Sequence, residues 1–220
     1  MMTSPLKHWM IPNEESGSGP APLLILLHGV GGNESSLMGL AKVLNPRFMK
    51  LVVRSPLVFG PGAFGWFHVD FTASGPVHNA AEAEAGRLQL AEFIPEAVQS
   101  FGADPRRVCL LGFSQGAIMA MSLLLTCPDR VAGAVAWSGR ILPEAFRERR
   151  PGPELGGRAA LVLHGLRDQT LPVQHGRASR DTLTAAALGQ VEYHELNIAH
   201  EVVQEEIDLT NHWLDRVFLG

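Results

Sequence analysis

A serine between two glycines, an aspartate and a histidine occur in that order along this 220-residue chain, and together they could perform nucleophilic acyl transfer. The serine is Ser114, in Leu111-Gly112-Phe113-Ser114-Gln115-Gly116-Ala117. Gly-x-Ser-x-Gly fits a tight strand-to-helix turn that lifts a serine hydroxyl above a sheet. Its glycines let strand and helix approach without Cβ clashes. A hydroxyl is a weak nucleophile until a base takes its proton, and that base must be oriented by a further group. An acid and a histidine are therefore expected downstream. Asp168 follows Leu163-His164-Gly165-Leu166-Arg167, directly beyond an apolar run. Asp129 and Asp181 compete, but the first ends a helix at the opposite edge of the sheet and the second falls inside a helical pattern. His200 comes after the last expected strand and a short loop. His194 lies within that strand, His212 within the terminal helix, and His175 begins another helix. The expected catalytic set is Ser114, Asp168 and His200.

A tetrahedral intermediate also needs N–H donors aimed at its oxyanion. His28-Gly29-Val30-Gly31-Gly32 follows an apolar strand and leaves its backbone uncovered, so the main-chain N–H groups of Val30 and Gln115 are the expected donors. Glycine-rich loops also cradle phosphates, but neither Gly-x-Gly-x-x-Gly nor Gly-Lys-Ser/Thr occurs, so no nucleotide is expected. No His-x-Glu-x-x-His or comparable cluster points to a metal. Cys109 and Cys127 are too few for a disulfide framework and read as free thiols in a reducing compartment. No cofactor is expected.

These groups require a scaffold that brings distant strand ends together. Leu23-Leu24-Ile25-Leu26-Leu27 is apolar at every position, as in a strand covered on both faces. Further strands are expected at 51–54, 108–111, 131–137, 159–163 and 191–196, with a possible edge strand within 1–12. Helices are expected from Ser35 or Ser36 to Leu44, from an Asn79-x-x-Glu82 cap with Leu88, Ala91, Ile94, Val98 and Phe101 on its buried face, over 115–126, over 173–188, and at the end of the chain. Pro95 is expected to kink the second of these. Gly60 to Gly75 reads as a long loop whose Trp66, Phe67 and Phe71 could wall a pocket, and Arg140 to Arg158 as a charged, proline-rich excursion. Alternating strands and helices predict one α/β domain over 1–220, with a mainly parallel central sheet and helices on both faces. Ligands of such sheets bind at the carboxyl ends of strands.

Composition narrows the function classes. The chain is 46% hydrophobic and 18% charged with a formal charge of −4, which argues against nucleic acid as a partner. Arg147, Arg149 and Arg150 sit beside Glu144 and Glu148, as on a solvated helix end. No stretch approaches the ~20 apolar residues of a membrane span, and the first nine residues lack the apolar run of a signal peptide. A cytoplasmic location is expected.

With these residues in view, the chain resembles the phospholipase/carboxylesterase family of α/β-hydrolases, which includes acyl-protein thioesterases. The resemblance is carried by Leu26-Leu27-His28-Gly29-Val30-Gly31-Gly32, Trp66-Phe67, Asp104-Pro105-Arg106-Arg107-Val108 and Gly112-Phe113-Ser114-Gln115-Gly116. It continues through Ser138-Gly139-Arg140-Ile141-Leu142-Pro143, His164-Gly165 to Asp168 with Leu171-Pro172-Val173, and Ala199-His200. It implies a Ser-His-Asp carboxylesterase acting on a small acyl ester or thioester without a cofactor. A thioesterase, protein deacylase or lysophospholipase with a longer acyl chain is the alternative, and a binding protein on a hydrolase scaffold a remote one. A homodimer is left open. The chain departs from the family at Ala199 before the histidine, at His68 after Trp66-Phe67, and at Leu111 and Ala117 around the serine turn.

Overall fold

The computed structural model describes residues 4–15, 19–72 and 75–220, apart from the side chains of residues 71, 72, 75 and 76. In chain order the elements are β1 (His8–Ile11), β2 (Leu23–Leu27), α1 (Ser35–Val43), β3 (Met49–Val53), β4 (Leu57–Gly60) and β5 (Ala63–Gly65). Then come β6 (Val69–Thr72), β7 (Gly75–His78), α2 (Ala80–Phe101), β8 (Val108–Phe113), α3 (Gln115–Thr126) and β9 (Gly133–Trp137). The chain closes with α4 (Pro143–Arg147), α5 (Gly152–Leu155), β10 (Ala159–Gly165), α6 (Gln174–Ala185), β11 (Gln190–Leu196) and α7 (Gln204–Phe218).

Seven strands form one sheet in the order β1-β3-β2-β8-β9-β10-β11, parallel throughout except for β1, which runs antiparallel along β3. The all-apolar strands make two cores. Successive side chains point to opposite faces, so Leu23, Ile25 and Leu27 enter one core while Leu24 and Leu26 enter the other. The first face is covered by α2, α3 and α6 through residues such as Ile94, Met119 and Leu183. The second is covered by α1 and α7 through Leu37, Trp213 and Phe218. The chain enters the sheet at the edge strand β1, passes to β2, returns to place β3 between them, then crosses to β8 on the other side of β2. That reversal opens a crevice between the carboxyl ends of β2 and β8.

The structure corrects some local expectations and adds detail to others. The segment from Gly60 to Gly75 is not a plain loop: β4 pairs antiparallel with β5, and β6 with β7. Helix α1 is not capped by Ser35 or Ser36; the Asn33 side chain accepts from the Ser35 N–H, while Ser36 Oγ accepts from the Asn33 N–H. Asn79 does cap α2 by accepting from the Glu82 N–H, but the Glu82 carboxylate turns away to the His68 N–H. Leu88 is 48% exposed, off the buried face that Ala91 and Ile94 occupy. Helix α2 continues through Pro95, whose ring leaves the Ala91 carbonyl without its helical donor. The Arg130 guanidinium donates to that carbonyl instead. The excursion after Arg140 contains the two short helices α4 and α5.

One buried acid in α7 has a measurable consequence. Glu206 is fully buried; one of its oxygens accepts from the Val203 N–H and the other has no partner among the described residues. Burial, with Glu201 and Glu205 nearby, pushes its carboxyl up to about 7. A raised carboxyl pKa means that the folded state holds its proton more tightly than the unfolded chain. The stability it contributes is therefore intact below the ordinary carboxyl value and lost as pH rises towards and through 7. Glu206→Gln is expected to raise stability at pH 8 by roughly 3 kcal/mol at most, and to change it little at pH 4. Thermal unfolding of both proteins at the two pH values measures this.

Candidate active site

Ser114 stands at the junction of β8 and α3 with φ 54° and ψ −115°, a conformation that non-glycine residues rarely adopt. Strain of this kind persists where surrounding structure over-determines it. Here both flanks are closed. A Cβ on Gly112 would fall 2.1 Å from the Gly116 carbonyl carbon, and one on Gly116 would fall 2.0 Å from the Leu27 carbonyl oxygen. Those contacts are backbone, which cannot swing aside. The glycine spacing is thus the condition for α3 to pack against β8 and β2 at this angle.

The register of the sheet gathers the remaining groups. Leu27 pairs with Gly112, Phe113 with Trp137, Trp137 with Leu163, and Gly165 with Leu196. Residues far apart in sequence therefore emerge from one edge. His200 Nε2 lies 3.0 Å from Ser114 Oγ, and His200 Nδ1 lies 2.7 Å from Asp168 Oδ2. The other Asp168 oxygen accepts from the N–H groups of Thr170 and Leu171 at 2.9 and 2.8 Å. Burial pushes the Asp168 carboxyl up, but the bonds from His200 and Leu171 outweigh it and hold the group below the usual carboxylate range. It is an ionised hydrogen-bond acceptor facing an imidazole N–H. Phe113 packs against the His200 ring with centroids 4.8 Å apart.

The glycine-rich loop after β2 is tied down on both sides. His28 Nδ1 donates to the Gly29 carbonyl at 2.7 Å, and His28 Nε2 accepts from the Ser55 N–H at 3.1 Å. Burial lowers the His28 pKa, in keeping with a neutral ring in this bonding pattern. Gly31 N–H donates to the Phe64 carbonyl and Phe64 N–H to the Gly32 carbonyl. The N–H of Val30 has no partner among the described residues, and that of Gln115 opens α3, where a helix has no internal acceptor for it. The amino end of α3 adds positive potential at the same point.

A cavity of about 280 Å³ opens above Ser114, lined mainly by Val30, Phe59, Phe67, Ile118, Leu171 and Arg140. Among the three aromatics expected to wall it, Phe67 does so. Trp66 does not: it is fully buried, its indole N–H donates to the His28 carbonyl, and its main-chain N–H donates to the Gln115 side chain. Gln115 Nε2 donates in turn to the Phe67 carbonyl at 2.7 Å. Trp66 therefore braces the donor loop against α3, and its size and N–H are satisfied in the core. Phe71 belongs to β6, and its side chain lies outside the described residues. His68 rims the cavity, stacked on Phe59 at 4.4 Å and bonded to Glu82.

His164 and Arg140 received no role from sequence reasoning. His164 is fully buried in β10 and its Nε2 donates to the Leu171 carbonyl at 2.7 Å, so it fixes the turn that presents Asp168. A histidine inside an apolar strand gives no local signal of this. Arg140 follows directly on β9, and the rule that ligands meet strand ends would have marked it. Among the described residues no cluster of three or more His, Cys, Asp or Glu could hold a metal ion, and no helix is long and apolar enough to cross a membrane.

Comparison with known proteins gives the family and the fold. The family model described as phospholipase/carboxylesterase matches residues 13–218. MhqD of Bacillus subtilis is 34% identical over 113 residues, 51% of this chain and 54% of that protein, so the match spans about half of its length. Acyl-protein thioesterase 1 of Emericella nidulans is 24% identical over 222 residues, covering 88% of this chain and 89% of that one. The crystal structure of the Bacillus cereus carboxylesterase superposes with a TM-score of 0.80 and 25% identity, over 98% of this chain and 96% of the other. The shared architecture is the α/β-hydrolase fold.

Proposed function

Because the chain belongs to the phospholipase/carboxylesterase family of hydrolases, we propose that it is a serine carboxylesterase for small acyl esters, with Ser114, His200 and Asp168 as its catalytic triad. The observation that carries this reading is the run of hydrogen-bond distances from Asp168 through His200 to Ser114, 2.7 and 3.0 Å, ending at a strained serine. His200 Nε2 takes the Ser114 proton as Oγ attacks the acyl carbonyl. The N–H groups of Val30 and Gln115 stabilise the oxyanion. His200 then returns the proton to the leaving alcohol as the ester C–O bond breaks, giving an acyl-enzyme. Water, deprotonated by His200, attacks that intermediate, and the acid departs with Ser114 restored. Asp168 holds the imidazole tautomer and offsets the imidazolium charge.

The cavity suits a short acyl group. Val30, Phe59, Phe67, Ile118 and Leu171 around about 280 Å³ give a short apolar acyl group a place directly above Ser114. The thioesterase or deacylase reading draws its support from relatives named acyl-protein thioesterase. A ladder of p-nitrophenyl esters separates the two. We expect the highest kcat/KM between two and six carbons; a maximum at twelve or more would replace this reading with the lipid one. A fluorophosphonate probe is expected to label Ser114, as read by peptide mass, and labelling elsewhere would remove Ser114 from its role. The free thiols Cys109 and Cys127 support a cytoplasmic setting.

A further inference from the structure

A cation in the wall of this largely apolar cavity stands out. Arg140 lies two residues beyond Ser138, a second non-glycine residue with positive φ, 48°. The turn there is closely packed: a Cβ on Gly139 would fall 2.5 Å from the Ala117 Cβ, on the helix that Ser114 precedes. Two strained turns, at the ends of β8 and β9, thus present Ser114 and Arg140 to the same space. Among the described residues no carboxylate lies within 4.0 Å of the Arg140 guanidinium. Its hydrogen-bond partner is His78, whose Nδ1 accepts from Nη2 at 3.4 Å. His78 Nε2 faces Glu144 Oε2 at 3.3 Å, and Glu144 reaches Arg147 on its other side. Glu144 approaches His78 rather than Arg140, and among the described residues no anion caps the guanidinium fork. Burial lowers the pKa of Arg140, with Glu144 acting through space in the opposite direction. A guanidinium stays charged under such pressure, and a desolvated cation is costly unless something pairs with it.

We propose that Arg140 anchors a carboxylate carried by the ester substrate in the cavity above Ser114, so that the preferred substrates are half-esters of small dicarboxylic acids or small hydroxy acids acylated on the hydroxyl. This rests on the reading of Ser114 as the nucleophile. A planar carboxylate matches the guanidinium fork in two parallel hydrogen bonds. The apolar remainder of the wall, Phe67, Ile118 and Leu171, suits the few carbons between carboxylate and scissile carbonyl.

The test uses pairs of esters that differ in charge. On the acyl side, mono-(4-nitrophenyl) glutarate is compared with 4-nitrophenyl pentanoate; on the alcohol side, 3-acetoxypropanoate with propyl acetate. The wild-type enzyme is expected to favour the anionic member of at least one pair by about 10- to 100-fold in kcat/KM, mostly through KM. Arg140→Leu should erase that preference, read as the anionic-to-neutral ratio of kcat/KM within each variant, and Arg140→Lys should restore part of it. Thermal unfolding shows whether each variant folds, and Lys carries the argument if Leu does not. Calorimetric binding of free glutarate is a readout independent of turnover, expected to be lost in Arg140→Leu. No charge preference on either side, or a preference that survives Arg140→Leu, overturns the assignment. If no ester is hydrolysed yet glutarate binds through Arg140, the esterase reading falls and the carboxylate anchor stands; if glutarate does not bind either, both fall.

Discussion

Ser114→Ala is expected to lower kcat on a short p-nitrophenyl ester by about 10⁶-fold, to a rate near that of the oxyanion donors acting alone. The loss is this large because no other nucleophile occupies the position. Ser114 Oγ is the atom 3.0 Å from His200 Nε2, and the covalent route ends without it. The fold should persist. Alanine at φ 54° bears strain similar to that of serine, and the main-chain bond from the Ser114 N–H to the Trp137 carbonyl is untouched. Single-turnover measurement, with thermal unfolding alongside, checks both halves. Residual turnover within tenfold of wild type would move the nucleophile elsewhere.

Asp168→Asn is expected to cost about 10⁴-fold in kcat with KM little changed. The replacement is nearly isosteric, so its amide oxygen can still accept from the Thr170 and Leu171 N–H groups. Its NH₂ then faces His200 Nδ1. An amide donor there favours the imidazole tautomer with the proton on Nε2, which cannot take a proton from Ser114. The carboxylate that would offset the imidazolium charge is gone as well. The smaller effect than for Ser114→Ala is itself part of the expectation: a positioned nucleophile and the oxyanion donors remain. A pH–rate profile separates this from misfolding, because more hydroxide should recover part of the lost rate in a correctly folded variant.

The two variants depend on information of different kinds. The environment of Ser114 is local, and so it was legible. Glycines at 112 and 116 leave room for one geometry, and the apolar run before them sets the strand. The His200–Asp168 pairing is not local, being fixed by the parallel register of β10 with β11, yet strand order and strand ends in the sequence point to both residues. The same reasoning misjudged Trp66, because it weighed an aromatic by its type and could not see that an indole N–H would find the His28 carbonyl across the crevice. It also took Gly60 to Gly75 for a loop. Those short strands pair with each other in two small hairpins outside the main sheet and never acquire the burial on two faces that makes β2 conspicuous.

Taken by itself, the sequence determined the covered parallel strands, the glycine-framed turn at Ser114, and the order in which donor loop, serine, aspartate and histidine appear. These follow from short-range sterics and from side-chain periodicity, which are written into neighbouring residues. Only the tertiary structure decided that Phe67 lines the cavity while Trp66 braces it, that His164 fixes the turn carrying Asp168, and that Arg140 faces the space above Ser114 with no acid against it. Each of those depends on which side chains meet across elements distant in the chain. Such meetings are set by sheet register and helix packing, which no short stretch of residues encodes.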